Sequence, residues 1–205
     1  MQSWQDIVTA LRVAGWILYP LSVLAIAALV VILDRAYVFW RFGSIPLRPD
    51  ASGIEAAIGA LPARHAARRL MQPLGGQADK PSWWIEERAG AIAVQIQRDM
   101  SRGLWILETI VTAAPLLGLL GTILGMMRAF QLLGEKGLVD PGGVTGGVAQ
   151  ALVATAIGLV IALAALFAFN YFSRRIDQLV EDLETFAGAW LAGIRLERGR
   201  RENAP

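Results

Sequence analysis

The chain has 205 residues, of which 55% are hydrophobic and only 18% charged, a balance that favours a membrane protein over a soluble domain. The net charge is +2, and the basic residues fall outside the apolar blocks, so they indicate membrane topology and not a nucleic-acid-binding face. Cysteine is absent, which excludes a disulfide framework, a thiolate metal site and a cysteine nucleophile.

The first apolar block predicts a membrane-spanning helix over residues 13–40, preceded by a short segment, 1–12. No charged residue lies between Arg12 and Asp34, and about 20 apolar residues cross a hydrocarbon core of about 30 Å. A cleavable signal peptide is the alternative. The block is too long for the apolar core of such a peptide, and no basic region precedes it beyond Arg12.

Residues 41–103 are polar and contain several prolines, so they predict an aqueous, helical loop. Ser52 and Glu55 have the spacing of a capping box, and Ser82 can begin a longer helix. Apolar residues recur at helical spacing after Ser82, so we expect that helix to run straight on into the next span. His65 has no second histidine or carboxylate cluster beside it, which predicts a solvated surface residue and not a ligand.

Two further apolar blocks predict a second span over 104–130 and a third over 148–173. The residues between them, 131–147, predict a short connector whose turn chemistry makes the two helices an antiparallel hairpin. Its turn-forming residues are Asp140, Pro141, Gly142, Gly143, Gly146 and Gly147.

The tail, 174–205, predicts an amphipathic helix that continues the third span. The fold class is therefore all-α: a polytopic membrane protein with three spans, the second and third extending beyond the lipid. The apolar stripe of the tail consists of Ile176, Leu179, Leu183, Phe186 and Trp190.

The distribution of Lys and Arg predicts the orientation. The 41–103 segment carries nine and the tail six, whereas the connector carries only Lys136 and the N-terminal segment only Arg12. Because cytoplasmic loops are enriched in these residues, we expect the N-terminus outside and the large loop and tail in the cytoplasm.

Small residues line one face of each of the last two spans. Gly118, Gly121 and Gly125 recur at helix-face spacing on the second span, and such residues let another helix approach closely in lipid. Pro115 removes one backbone hydrogen bond, which would bend the helix or be relieved by a nearby threonine, Thr112. The small face of the third span consists of Ala151, Thr155, Gly158, Ala162 and Ala165.

The deep membrane region offers hydroxyl and amide groups but no carboxylate. Thr122 and Thr155 are the candidate polar residues, with Gln150 beside them, and none of these side chains titrates. A threonine hydroxyl can also bond back to a carbonyl of its own helix, which would leave it without a functional role. If protons cross here, a titrating group must come from another chain. Glu108 and Arg128 lie near opposite ends of the second span, where both can snorkel.

These residues resemble the MotA/TolQ/ExbB proton channel family, in particular its three-helix ExbB and TolQ branch. The resemblance covers about 70 residues, with APLLGLLGTILGMMRAF at 114–130, AQALVATAIGL at 149–159 and FNYFSRR at 169–175. The Asp34 and Arg35 pair adds support. The best-known ExbB pattern has a glutamate where this chain has Gln150, so titration at that position is absent and Gln150 has a polar, orienting role at most.

The resemblance implies a motor subunit of the bacterial inner membrane and neither an enzyme nor a cofactor-binding or metal protein. It implies a homopentamer around a dimer of a single-span ExbD/TolR-like protein, and a TonB/TolA-like protein that receives the motion. By the same resemblance, Thr122 and Thr155 face an aspartate of the partner and Gln150 lies on the proton path. Pro115, Gly118, Gly121, Gly125, Ala151, Gly158 and Ala162 would shape the pore and pack its helices.

Three alternatives stay open from the residues. A membrane scaffold would use the same small faces for oligomer assembly without proton flux. A TolQ-type motor would maintain the cell envelope instead of driving uptake, and the chain does not separate these uses. A solute transporter is disfavoured, because the three spans show no internal repeat and no charged ligand-binding group.

Overall fold

The structure is a computed structural model that describes residues 15–42, 62–63, 65–75, 77, 80–134 and 141–202. Every regular element in these ranges is a helix. After a 3-10 turn at Gly15–Ile17, the elements are α1 (Leu18–Phe42), α2 (Ala66–Met71), α3 (Ser82–Met100), α4 (Leu104–Gly134) and α5 (Pro141–Glu202). The capping box predicted at Ser52 and Glu55 lies outside the described residues.

Within the described ranges three helices are long and apolar enough to cross a membrane, which confirms the predicted all-α polytopic fold. The candidate spans are Leu18–Arg41 on α1, Leu104–Gln131 on α4 and Val144–Leu196 on α5. In lipid a helix satisfies all of its backbone hydrogen bonds internally, so uninterrupted helices of this length are what the apolar blocks favour.

The fifth helix begins at Pro141, inside the segment that the sequence predicts as a connector. Proline suits the first turn of a helix, because its missing N–H has no partner there in any case. Gly147 lies within this helix at a point where α4 passes close by. A Cβ atom at Gly147 would lie 3.0 Å from the Cβ atom of Ala129. Glycines that looked like turn residues therefore include one that allows two helices to touch.

The third helix begins at Ser82, as predicted, but it does not run straight on into the next span. It ends at Met100, and a turn over residues 101–103 separates it from α4. Gly103 has a φ of 88°, a conformation that glycine adopts without strain. The Gln97 carbonyl accepts both the backbone N–H of Ser101 and the Ser101 hydroxyl, the latter 2.8 Å away, which closes the end of the helix.

The chain divides into two compact units, one of Met1–Ile32 with Gly103–Asn170 and one of Leu33–Arg102 with Tyr171–Pro205. The first unit contains the apolar parts of α1, α4 and α5. Its described core is centred on Ile17, Leu21 and Ala154, all less than 4% exposed. Partly buried residues around it are Leu117, Leu124, Ile157 and Ile161.

The second unit packs α2 and α3 and contains the last part of α5. The predicted amphipathic stripe is confirmed, because its first four members are at most 5% exposed while acidic residues between them are exposed. The prediction of a solvated His65 is wrong. His65 is 2% exposed, and its backbone carbonyl accepts from the Arg69 N–H at the start of α2. The next residues, Ala66 and Ala67, are also buried, so the start of this helix is packed inside the unit together with His65.

Candidate intramembrane polar site

Helices α4 and α5 approach so closely that several of their glycines have no room for a side chain. A Cβ atom at Gly158 would lie 2.5 Å from the Ala114 carbonyl oxygen, and one at Gly118 would lie 2.9 Å from the Thr155 Cα. A Cβ atom at Gly125 would lie 2.7 Å from the Ala151 Cβ. Because real Cβ atoms essentially never come within 3.0 Å of other heavy atoms, these glycines are what allows the two backbones to touch.

The close approach produces a hydrogen bond between the two helices. The Thr155 hydroxyl of α5 donates to the Gly118 carbonyl oxygen of α4, 2.8 Å away. Gly118 lies near the middle of the span Leu104–Gln131, and Thr155 is half-buried. The absence of a side chain at Gly118 exposes its carbonyl to the neighbouring helix, so this polar contact depends on the glycine.

Thr122 lies one turn further along α4 and satisfies its hydroxyl within its own helix. It donates to the Leu119 carbonyl oxygen, 2.7 Å away. In an α-helix the backbone N–H of residue 122 also donates to the carbonyl of residue 118. The Gly118 carbonyl is therefore the group that both candidate threonines share, Thr155 through its hydroxyl and Thr122 through its backbone.

The other threonines of α4 are bonded back to the same helix. The Thr109 hydroxyl donates to the Trp105 carbonyl at 2.8 Å, and the Thr112 hydroxyl donates to the Thr109 carbonyl at 2.9 Å. Thr112 therefore does not supply the bond that Pro115 removes from the Val111 carbonyl, contrary to one sequence expectation. The helix nevertheless continues through Pro115 to Gly134.

The small residues of α5 are covered within the same chain, and Ala151 lies against Gly125 of α4. Ala151 and Ala162 are 2% and 8% exposed. Gly121 also lies in this contact, where a Cβ atom would come within 2.9 Å of the Ala154 Cβ. Gln150 is half-buried at the edge of the set. The described structure thus uses these residues for packing within one chain, and a role in shaping a pore between chains stays a prediction.

No titratable side chain of the described residues lies beside this hydrogen bond. Glu108 and Arg128, both exposed, each lie about 15 Å from Gly118 along α4 at 1.5 Å per residue. On α5 no residue of 141–170 is ionisable. Among the described residues no group of His, Cys, Asp and Glu side chains could hold a metal ion. The site can exchange hydrogen bonds, but a proton carrier would have to be brought to it.

The polar role of Gly118 is not visible in the sequence. Its spacing with Gly121 and Gly125 indicates helix packing. Every residue has a backbone carbonyl, so the sequence does not show which carbonyl accepts a hydrogen bond from another helix. Only the presence of a threonine on a facing small-residue helix could have suggested it.

Comparison with known proteins places these helices in a family. The profile of the MotA/TolQ/ExbB proton channel family matches residues 57–185, more than half of the chain and a range that contains Thr122, Gln150 and Thr155. An ExbB-like biopolymer transport protein of Synechocystis is 34% identical over 171 residues, which cover 77% of this chain and 80% of that protein.

Two shorter alignments agree with this match. The ExbB biopolymer transport protein of Aquifex aeolicus is 36% identical over 94 residues, 46% of this chain and 64% of that protein. ExbB of Neisseria gonorrhoeae is 38% identical over 93 residues, 45% of this chain and 42% of that protein. The alignments thus span less than two thirds of both of these relatives. Together with the three apolar helices, these matches identify an integral membrane protein.

Proposed function

The chain belongs to the MotA/TolQ/ExbB proton channel family, and on that premise we propose that it is a proton-channel and motor subunit. With a single-span ExbD/TolR-like partner it converts the proton motive force into mechanical work on an outer-membrane-directed system, and it catalyses no covalent reaction. ExbB-type energised uptake is favoured over a TolQ-type role, because the relatives described above carry the ExbB name.

The observation that carries the proposal is a polar site at mid-membrane without a titrating group. Thr155 holds a hydroxyl at the contact between two spans, and the described part of α5 in this unit contains no ionisable side chain. Polar groups inside a membrane are costly and mark functional pathways. A site that can bind a proton-carrying group but contains none fits a subunit whose partner supplies an acidic side chain.

A non-conducting scaffold is the second candidate, and the glycine contacts weigh against its simplest form. Such a scaffold would use the small faces to join copies of the chain. Gly118, Gly125 and Gly158 instead contact the neighbouring helix of the same chain, so these faces are already covered. Assembly into a pentamer, as the family implies, would then use the bulkier exposed residues of α4 and α5.

Location in the bacterial inner membrane, a periplasmic N-terminus and a cytoplasmic tail complete the proposal. They follow from the family and from the excess of Lys and Arg in the 41–103 segment and the tail. A TonB/TolA-like protein would receive the motion.

The test replaces Thr155 by valine, which keeps the side-chain shape and removes the hydroxyl. The chain is co-purified with its ExbD-like partner, reconstituted in vesicles, and assayed for proton uptake driven by a membrane potential. We expect Thr155→Val to assemble normally and to lose most proton uptake. The control is Thr109→Val, which removes a hydroxyl bonded only within α4 and should conduct like wild type. Normal uptake by Thr155→Val would show that the Thr155 hydroxyl is not on the proton path, and no uptake by wild type would favour the scaffold.

A further inference from the structure

Both candidate threonines have already used the one proton that each can donate. The Thr155 hydroxyl lies 2.8 Å from the Gly118 carbonyl oxygen and the Thr122 hydroxyl lies 2.7 Å from the Leu119 carbonyl oxygen. A carbonyl oxygen can only accept, so in each pair the hydroxyl must be the donor. What each threonine still offers to a further group is a lone pair on Oγ1.

A hydroxyl whose proton is committed distinguishes between the two forms of a carboxyl group. A protonated carboxyl has an O–H to donate, whereas a carboxylate has only acceptor oxygens. Against the Thr155 Oγ1 lone pair the protonated form gains a hydrogen bond, and the ionised form meets like partial charges. In a region of low dielectric an unpaired ionised group is strongly disfavoured.

We propose that Thr155, held by the Gly118 carbonyl, binds only the protonated form of the partner's membrane carboxyl group, with Thr122 offering a second acceptor of the same kind. This inference rests on the proposed function, because it takes the carboxyl group to belong to the partner. It adds a specificity that the family assignment does not contain. The site binds the partner's carboxyl group in its protonated form. It has no hydrogen-bond donor for the carboxylate that remains after the proton is lost.

The position of Gly118 explains why this arrangement is stable. Its carbonyl accepts from the Thr155 hydroxyl while also taking part in the α4 backbone ladder through Thr122. To donate to a carboxylate, Thr155 would have to give up the bond between α4 and α5 and leave Gly118 with one acceptor site unfilled. Gly118 is therefore a positioning residue that acts through its backbone.

The charged and titratable groups of the described residues in this unit lie away from the Thr155 hydroxyl. On α4 they are Glu108 and Arg128, about 15 Å away along the helix on opposite sides. On α1, within the same unit, Tyr19 is 77% exposed. On α5 between residues 141 and 170 there is none. A pH dependence measured at the site therefore belongs to the partner's carboxyl group.

The sign of a titration shift tests the inference. In the reconstituted complex, with ¹³C-labelled aspartate in the co-purified ExbD-like chain, infrared absorption reports the pH at which its membrane carboxyl loses the proton. Thr155→Val removes an acceptor from the neutral form, so the midpoint should fall by about 1 pH unit, a tenfold loss of proton affinity. Thr155→Ser keeps the hydroxyl and should restore the midpoint, and Thr109→Val should leave it unchanged.

The other outcomes separate this inference from the proposed function. A rise of the midpoint in Thr155→Val would show that the threonine donates to a carboxylate, which overturns the inference and leaves the motor subunit intact. An unchanged midpoint together with lost proton uptake would overturn the inference in the same way. An unchanged midpoint with normal uptake would remove Thr155 from the proton path and overturn the inference, while the proton channel itself would stand. Absence of proton uptake by the wild-type complex would overturn the proposed function.

A second measurement needs no partner. With a ¹³C label at the Gly118 carbonyl in the full chain in bilayers, loss of the hydroxyl bond should shift the labelled carbonyl stretch to higher frequency in Thr155→Val and not in Thr109→Val. A carbonyl stretch that does not move in Thr155→Val would show that the hydroxyl proton is not committed to Gly118, and the inference would fail.

Discussion

The contact between Gly158 and Ala114 allows a sharp prediction for the substitution Gly158→Ala. The added Cβ atom would lie 2.5 Å from the Ala114 carbonyl oxygen, whereas ordinary van der Waals contact begins at 3.4 Å, so the two helices would have to separate by about 0.9 Å. A backbone carbonyl cannot rotate away as a side chain can. Overpacking of this kind costs about 1–3 kcal/mol.

The control for this variant is Gly146→Ala on the same helix. Nothing lies within 4 Å of a Cβ atom at Gly146, so an alanine there meets open space. In a helix interior alanine is favoured over glycine by about 0.5–1 kcal/mol. We therefore expect Gly146→Ala to be neutral or slightly stabilising, although the chemical change is the same.

The assay is unfolding of the purified chain in mixed micelles with rising SDS, followed by circular dichroism. The labelled Gly118 carbonyl provides a second readout, because separation of the helices should weaken its bond to the Thr155 hydroxyl. Equal stability of Gly158→Ala and Gly146→Ala would refute the reasoning. It would mean that α4 and α5 do not approach as closely as described, and the polar site would lose its geometric basis.

Two further predictions concern the second unit and use the same unfolding assay. Arg35 is 8% exposed and donates to the Asp99 and Met100 carbonyls at the end of α3. Arg35→Gln should therefore lower the free energy of unfolding by about 2–3 kcal/mol, and Arg35→Lys by less. An unchanged unfolding midpoint in Arg35→Gln would contradict this. Leu183 is fully buried, so Leu183→Ala should lower the free energy of unfolding by about 2–5 kcal/mol. Leu196 is 68% exposed, so Leu196→Ala should change this free energy little. Equal losses in the two variants would contradict the burial of Leu183.

The polar network around Arg35 shows where sequence reasoning stops. The sequence places Asp34 and Arg35 at the end of the first span, and side-chain snorkelling would be a sufficient explanation of both. In the structure the Arg35 guanidinium donates to its neighbour Asp34 and to two carbonyls about 65 residues later in the chain. Those carbonyls are accessible to Arg35 because α3 ends at Met100, and the apolar periodicity did not reveal that end.

The sequence by itself determined the three spans, the start of α3 at Ser82 and the buried stripe of the tail. Each of these depends on the local order of apolar and polar residues, because transfer into lipid or into a core is roughly a sum over neighbouring side chains. The resemblance to the family also rests on contiguous segments, and the profile match over 57–185 confirms it.

Only the tertiary structure decided what the small residues and threonines contact. Equal glycine spacings are compatible with packing inside one chain or between chains. The contacts of these glycines with Ala114, Ala151 and Thr155 show packing inside one chain. Whether a threonine hydroxyl bonds within its own helix or to its neighbour depends on where two helices cross. Thr122 and Thr155 look alike in sequence, yet one bonds to Leu119 and the other to Gly118 of the facing helix, because helix crossing brings distant backbone atoms within hydrogen-bonding distance.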